Sequence, residues 1–365
     1  MPPFGVQTGS GGLRVNRRSF LAALAPLAVV GRQGGARRRP SSPASPAGSA
    51  QVLRSVRGVP PEIVGAFREP LAFEQAASGQ YFVFDRPGHT VYGIDAAMSG
   101  AWKIVEIGHE AGRIIEPSAF ALAPNGTFAV ADRPARLERI QIFGPGGNLI
   151  TGFMLPGQAR ETVMVGSLVL NSSGSLQYDG SSLLLALPET GALVAEYSPG
   201  GVPIRTFGVL RATGHESSPD LHLALNAGLP LRTPRGGFVF VFQTGVPLFR
   251  RFDAEGRFLY ERHIEGPEID DVLASLPTRW PTRRAEGREI PLVPPVVRTA
   301  RVDPSGRLWV TFANRPYTYV YAENGEKARV VQFRGAGILS PTSLSFSGTG
   351  RLLITPGCYE FDPAA

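Results

Sequence analysis

Cysteine is almost missing from this chain: Cys358 stands alone among 365 residues, so no intrachain disulfide can form and stability must come from a packed core. Methionine (4), tryptophan (3) and histidine (5) are also scarce. Beyond residue 50 nothing approaches the roughly 18–20 consecutive apolar residues needed to cross a bilayer, which argues against a stable membrane span. No Gly-x-Ser-x-Gly elbow, phosphate-cradling loop ahead of a helix or His-Glu-x-x-His pair occurs, so the sequence advertises no serine hydrolase, nucleotide or zinc-protease site. No cofactor motif is visible, and no cofactor is expected.

Acidic residues are absent from the first fifty positions, which hold seven arginines. The formal charge of +7 therefore lies in that segment, and residues 51–365 carry 30 Lys plus Arg against 30 Asp plus Glu. A neutral body excludes a broad nucleic-acid-binding face. Asn16-Arg17-Arg18-Ser19-Phe20-Leu21, with an apolar run to Val30 behind it, resembles a bacterial twin-arginine export signal. An ordinary secretory n-region is the alternative. The resemblance implies residues 1–33 as signal peptide, the twin-arginine translocase as partner during export, and a periplasmic or extracellular destination. Residues 34–51, rich in Pro, Ser, Gly and Arg, read as a disordered low-complexity linker.

Residues 52–362 repeat one sentence. Pro117 to Pro124 is a short strand, Asn125-Gly126 a turn, and Thr127 to Asp132 a second strand. Ile140 to Phe143 and Asn148 to Phe153 follow across a Gly-Pro-Gly-Gly turn. Period-two alternation with short turns makes this a four-stranded antiparallel meander. Copies recur with second strands near Phe82, Leu184, Phe238, Leu308 and Leu352. The last copy is one strand short, and a spare strand is read near Glu62 to Phe67. The expectation is an all-β six-bladed β-propeller of four-stranded antiparallel blades, closed by that N-terminal strand.

Pro124-Asn125-Gly126, Val130-Ala131-Asp132-Arg133, Arg136 or Arg139, and Ile140 to Phe143 together resemble the NHL-repeat family of β-propellers, as does Phe84-Asp85-Arg86-Pro87-Gly88-His89. The later copies replace the aspartate with Pro188, Gln243, Asn314 and Pro356. The resemblance implies binding of proteins, peptides, glycans or RNA, with a few relatives acting as metal-dependent lyases or hydrolases.

The topology gathers one set of loops on one face, and with them Asp85, Arg86, His89, His109, Arg113, Asp132, Arg133, Arg136, His215, Asp220, Asn314 and Arg315. Convergent polar groups at a channel mouth suit a ligand. The leading reading is non-catalytic binding of a peptide, protein or glycan there. His89, His109, His215 and His222, the last read on an inner strand, allow a metal-assisted lyase or hydrolase as the alternative, although no spacing enforces a shared metal site. The Asp-Arg pairs can equally brace their own loops. Residues 264–295 interrupt the repeat; Pro267 and the acids behind it start a short helix, and Arg279, Trp280, Arg283 and Arg284 form a basic-aromatic patch. That excursion is a candidate partner loop, and a structural or assembly role through it is the third reading.

Overall fold

Alternating apolar and polar residues become antiparallel strands joined by tight turns. The computed structural model describes residues 50–364 apart from 157–162, 167, 171–172, 286 and 336. The expected signal peptide, Arg17 and Arg18 included, lies outside the described residues, as does the linker up to residue 49. Gln51 already belongs to a strand.

β1 (Gln51–Gly58) leads into a single helical turn, α1 (Pro61–Val64). The first meander is β2 (Pro70–Gln75), β3 (Tyr81–Asp85), β4 (Thr90–Ile94) and β5 (Ala101–Val105). The second is β6 (Ala119–Leu122), β7 (Phe128–Asp132), β8 (Arg139–Phe143) and β9 (Leu149–Met154). A hairpin, β10 (Val163–Val165) and β11 (Leu168–Leu170), precedes the third: β12 (Leu176–Tyr178), β13 (Leu183–Leu185), β14 (Ala192–Tyr197) and β15 (Pro203–Val209). α2 (Pro219–Leu225) precedes the fourth: β16 (Gly228–Arg232), β17 (Phe238–Phe242), β18 (Leu248–Phe252) and β19 (Phe258–His263). The excursion supplies α3 (Asp270–Ala274) and a hairpin of β20 (Thr282–Ala285) with β21 (Arg288–Pro291). The chain ends in β22 (Val297–Val302), β23 (Leu308–Phe312), β24 (Thr318–Tyr321), β25 (Lys327–Arg334), β26 (Ser343–Phe346), β27 (Leu352–Thr355) and β28 (Tyr359–Phe361).

These last strands correct the six-bladed expectation. Among the described residues there are four four-stranded sheets of propeller-blade type and one eight-stranded sheet, ordered β22-β23-β24-β25-β1-β28-β27-β26. The cause is β1. Its first half pairs in parallel with β25, from Gln51 opposite Val331 to Arg54 opposite Arg334, and its second half pairs antiparallel with β28. One strand thus satisfies the open edges of two meanders and fuses them. The edge strands β22 and β26 lie beside one another without pairing, so the sheet is almost closed on itself. The strand expected near Glu62 to Phe67 is also corrected. That stretch holds α1, whose first position is Pro61, where a missing N–H costs nothing.

Second strands are buried on both faces: β3, β7, β17 and β23 hold no exposed residue. Neighbouring sheets cover each side, which explains runs such as Phe238-Val239-Phe240-Val241-Phe242. Fourth strands such as β9 and β15 alternate toward solvent. Apolar clusters join the first sheet to the second (Phe84, Phe120, Phe128), the second to the third (Ile140, Leu183), the third to the fourth (Phe207, Phe240) and the fourth to the eight-stranded sheet (Phe249, Tyr321). A cluster of Phe73, Val83, Leu353 and Cys358 joins that sheet back to the first.

Candidate functional site

The first strands of the four meanders, with β22 and β26, line a common passage that opens into a cavity at each end. At the end where the β3–β4 connection lies, a cavity of about 130 Å³ is lined by Arg86, Ser118, Gln243, Arg298, Thr342 and Ser343, among others. Arg86 leaves the end of β3 and is 8% exposed. Arg298 comes from β22, its backbone carbonyl accepting a 3.1 Å hydrogen bond from Gln243 Nε2. Burial pulls both guanidiniums below their ordinary range, and the carboxylate of Glu69 opposes that in both cases. Arg298 Nε is buried and has no hydrogen-bond partner. The result is a concave end with cationic character.

The candidate aspartates do different work. Asp85 accepts hydrogen bonds from the backbone N–H groups of Arg68 (2.8 Å), Glu69 (3.1 Å) and Gly88 (3.2 Å). Gly88 allows this closeness, because a Cβ there would collide with the carboxylate. Asp132 accepts from Ile115 N–H at 3.0 Å and from Arg139 at 2.9 and 2.6 Å. Arg139 continues to the carbonyls of His109 and Arg113. In both meanders, therefore, the carboxylate at the end of the second strand clamps the loop that enters the first.

The remaining candidates are dispersed. His109 is exposed, as is Arg113, which pairs with Glu110 at 3.0 Å. Arg133 is half-buried, while Arg136 and Asn314 are exposed. His89 is half-buried at φ 48°, with Nδ1 lacking a hydrogen-bond partner. Burial lowers its imidazole pKa; Glu116 and Asp85 oppose this and Arg68 reinforces it. Asp220 on α2 pairs with Arg288 of the excursion at 2.7 Å, and Arg315 pairs with Asp271 of α3. His222 lies on α2, not on an inner strand, and its Nδ1 meets Thr213 Oγ1 at 2.8 Å. Arg279, Arg283 and Arg284 are exposed, and Trp280 is half-buried.

His215 and Trp280 share a different place, a cleft of about 540 Å³ beside the fourth meander, with Arg211, Arg250, Glu261 and His263. At the opposite end of the passage a cavity of about 360 Å³ includes Glu74, Asp179, Arg232 and Arg301. Burial raises the Glu74 carboxyl against the charge of Arg301. Arg298, Arg211 and Arg250 are not among the sequence candidates, and Gln243 figures there only as a replacement for the repeat's aspartate; Arg298 within Val296-Val297-Arg298-Thr299-Ala300 is the available signal.

Among the described residues no group of three His, Cys, Asp or Glu side chains is placed to hold a metal ion. The histidines suggested as ligands are divided among the passage end, an exposed loop, the cleft and α2, so this donor set does not fit a shared metal.

The chain matches no protein-family model and no curated protein. The NHL-repeat resemblance is therefore corrected: the Asn-Gly turn and Val-x-Asp strand end are shared by many tight antiparallel meanders, and here they carry no family match. Similar solved structures include a selenomethionine-substituted virginiamycin B lyase from Staphylococcus aureus, at 9% identity over 79% of this chain and 77% of that one, TM-score 0.49. A streptogramin B lyase aligns at 10% identity over 80% and 92%, TM-score 0.48. A gluconolactonase from Xanthomonas campestris aligns at 14% identity over 81% and 85%, TM-score 0.49.

Proposed function

We propose that the chain is an exported binding protein that takes a carboxylate of a peptide or protein into the arginine-lined end of its passage, without chemistry on the ligand. The observation that supports this is Arg86 and Arg298, two desolvated guanidiniums on one cavity, with a buried Nε of Arg298 lacking a partner. Guanidinium forks match carboxylate geometry, and a low-dielectric setting strengthens the pairing. Calorimetric titration of hexaglutamate and hexaglutamine tests it. Glutamate should bind more tightly, with affinity falling as salt rises; equal binding, or none to either peptide, would remove the reading.

A lyase or hydrolase acting in the passage is the second reading, the class of activity named for the similar solved structures. Mass spectrometry of a cyclic depsipeptide and of a sugar lactone, each incubated with the protein and a divalent metal, separates the two. Metal-dependent product above the protein-free control would favour catalysis.

The export part rests on Arg17 and Arg18. No helix among the described residues is long and apolar enough to cross a membrane. Replacing both arginines with lysine should abolish periplasmic accumulation; an unchanged yield would assign export to the general secretory route.

A further inference from the structure

The 540 Å³ cleft lies away from the passage, within the size range of small-molecule sites. Its floor comes from Leu248 and Arg250 of β18 and from Glu261 and His263 of β19. Its walls come from the segment before α2 (Arg211, Thr213, His215) and from the excursion (Leu276, Pro277, Trp280). Those walls are held independently of any ligand. Val163, Leu168, Leu221, Ala224, Ile290 and Val293 form a small core of their own, with Trp280 packed against it. The Asp220–Arg288 and Asp271–Arg315 pairs tie the excursion down on two sides. A cleft built in this way is pre-organised, which lowers the entropic cost of filling it.

Its charge is unbalanced. Arg211 and Arg250 both lie over the Phe242 ring, at 4.4 and 5.3 Å from its centroid. Arg211 directs its N–H groups to the carbonyls of Leu225, Thr244 and Val246, so neutral acceptors fix it, and the charge of Glu261 offsets its own only in part. Burial, then repulsion from Arg250, pulls its pKa down to about 10. Glu261, 2.7 Å from Arg250 Nε, offsets one of the two charges. The imidazoles of His215 and His263 add donors at the same surface. Beside these cations stand Trp280, Leu276 and Val246, the last 48% exposed.

We propose that this cleft is a second ligand site, separate from the passage, which takes a small organic anion with an aromatic or apolar body. The body lies against Trp280, Leu276 and Val246, and the anionic group faces Arg211, Arg250 and the two imidazoles. Stacking on the Trp280 indole and burial against Leu276 and Val246 are contacts that such a molecule can use and a bare inorganic ion cannot.

The test uses anilinonaphthalene sulfonate as the anionic probe, phenylnaphthylamine as its neutral counterpart, and inorganic sulfate as competitor. The folded protein should bind the sulfonate at one saturable site, more tightly than the amine and without displacement by millimolar sulfate. Val246→Glu places a carboxylate on the exposed rim, and Trp280→Ala removes the apolar wall. Each should weaken the sulfonate by roughly tenfold or more. Val246→Glu should leave the thermal unfolding midpoint unchanged, which keeps the test valid if Trp280→Ala is destabilised. Arg298→Gln, in the passage, should leave probe binding as it was. Equal affinity for the amine, displacement by sulfate alone, or unchanged binding in Val246→Glu would each overturn the proposal.

Discussion

Asp85 and Asp132 show how much a single carboxylate can decide. Each sits at the end of a second strand, buried, and accepts hydrogen bonds from the loop that begins its own sheet. Both pairs were legible as Asp-Arg motifs, but sequence could not say whether the charge faced a ligand or a backbone. Asp132→Ala would leave the 11%-exposed Arg139 side chain without its anion. Breaking such a buried pair costs about 3–5 kcal/mol, to be read from urea unfolding. The affinity of the folded fraction for hexaglutamate should not change, and full stability with lost affinity would make Asp132 a ligand contact. Glu196 supplies a pH test. Burial pushes its carboxyl up, but hydrogen bonds from Ser182, Arg205 and Arg232, with the Arg232 charge, outweigh that and hold it below its ordinary 4.5. A depressed carboxylate stabilises the fold above that ordinary value, and the contribution is lost as pH falls through the folded one. Glu196→Gln should therefore flatten the acid side of the stability profile below about pH 4.5; an unchanged slope would show that the network does not couple to folding.

Strands with tight turns were the legible elements. The Asn125-Gly126 turn falls between β6 and β7 as expected, with Gly126 at φ 86°, where a β-carbon would be strained. Elements that break the repeat were misread for a definable reason. In a seven-residue segment, period two and period 3.6 overlap, so His222 between Leu221 and Leu223 reads as a strand position. The chain instead forms α2, which buries Leu221, Ala224 and Leu225 behind Pro219 at its start. The β20–β21 hairpin was not anticipated either. The role of β1 is legible only in part: the strand missing from the last copy points to an N-terminal partner, but the pairing strand is Gln51–Gly58 rather than Glu62 to Phe67, and its parallel pairing with β25 leaves no periodic trace in either meander. Removing residues 1–58 should expose the edges of β25 and β28 and lower the unfolding midpoint sharply, whereas removing 1–50 should not. Equal midpoints for the two truncations would show that β1 does not hold the eight-stranded sheet together.

At the scale of the whole molecule, apolar clusters run from sheet to sheet and back to the first, so the polar ends of the passage are held by a scaffold that needs no disulfide. The sequence suggested a polar mouth on one set of loops; Asp85 and Asp132 turn inward, His215 belongs to the cleft, and the cation from β22 has no counterpart among those candidates. Inward-facing charge is hard to read when one basic residue interrupts an apolar strand. Anion binding in the passage turns on Arg298, because burial makes it costly to the fold and suited to an anion. The most direct measurement is a paired determination on Arg298→Gln: its unfolding free energy and its affinity for hexaglutamate. The variant's stability should equal or exceed that of the parent, with affinity lowered by roughly tenfold or more. A variant that loses stability while binding hexaglutamate as tightly as the parent would contradict it.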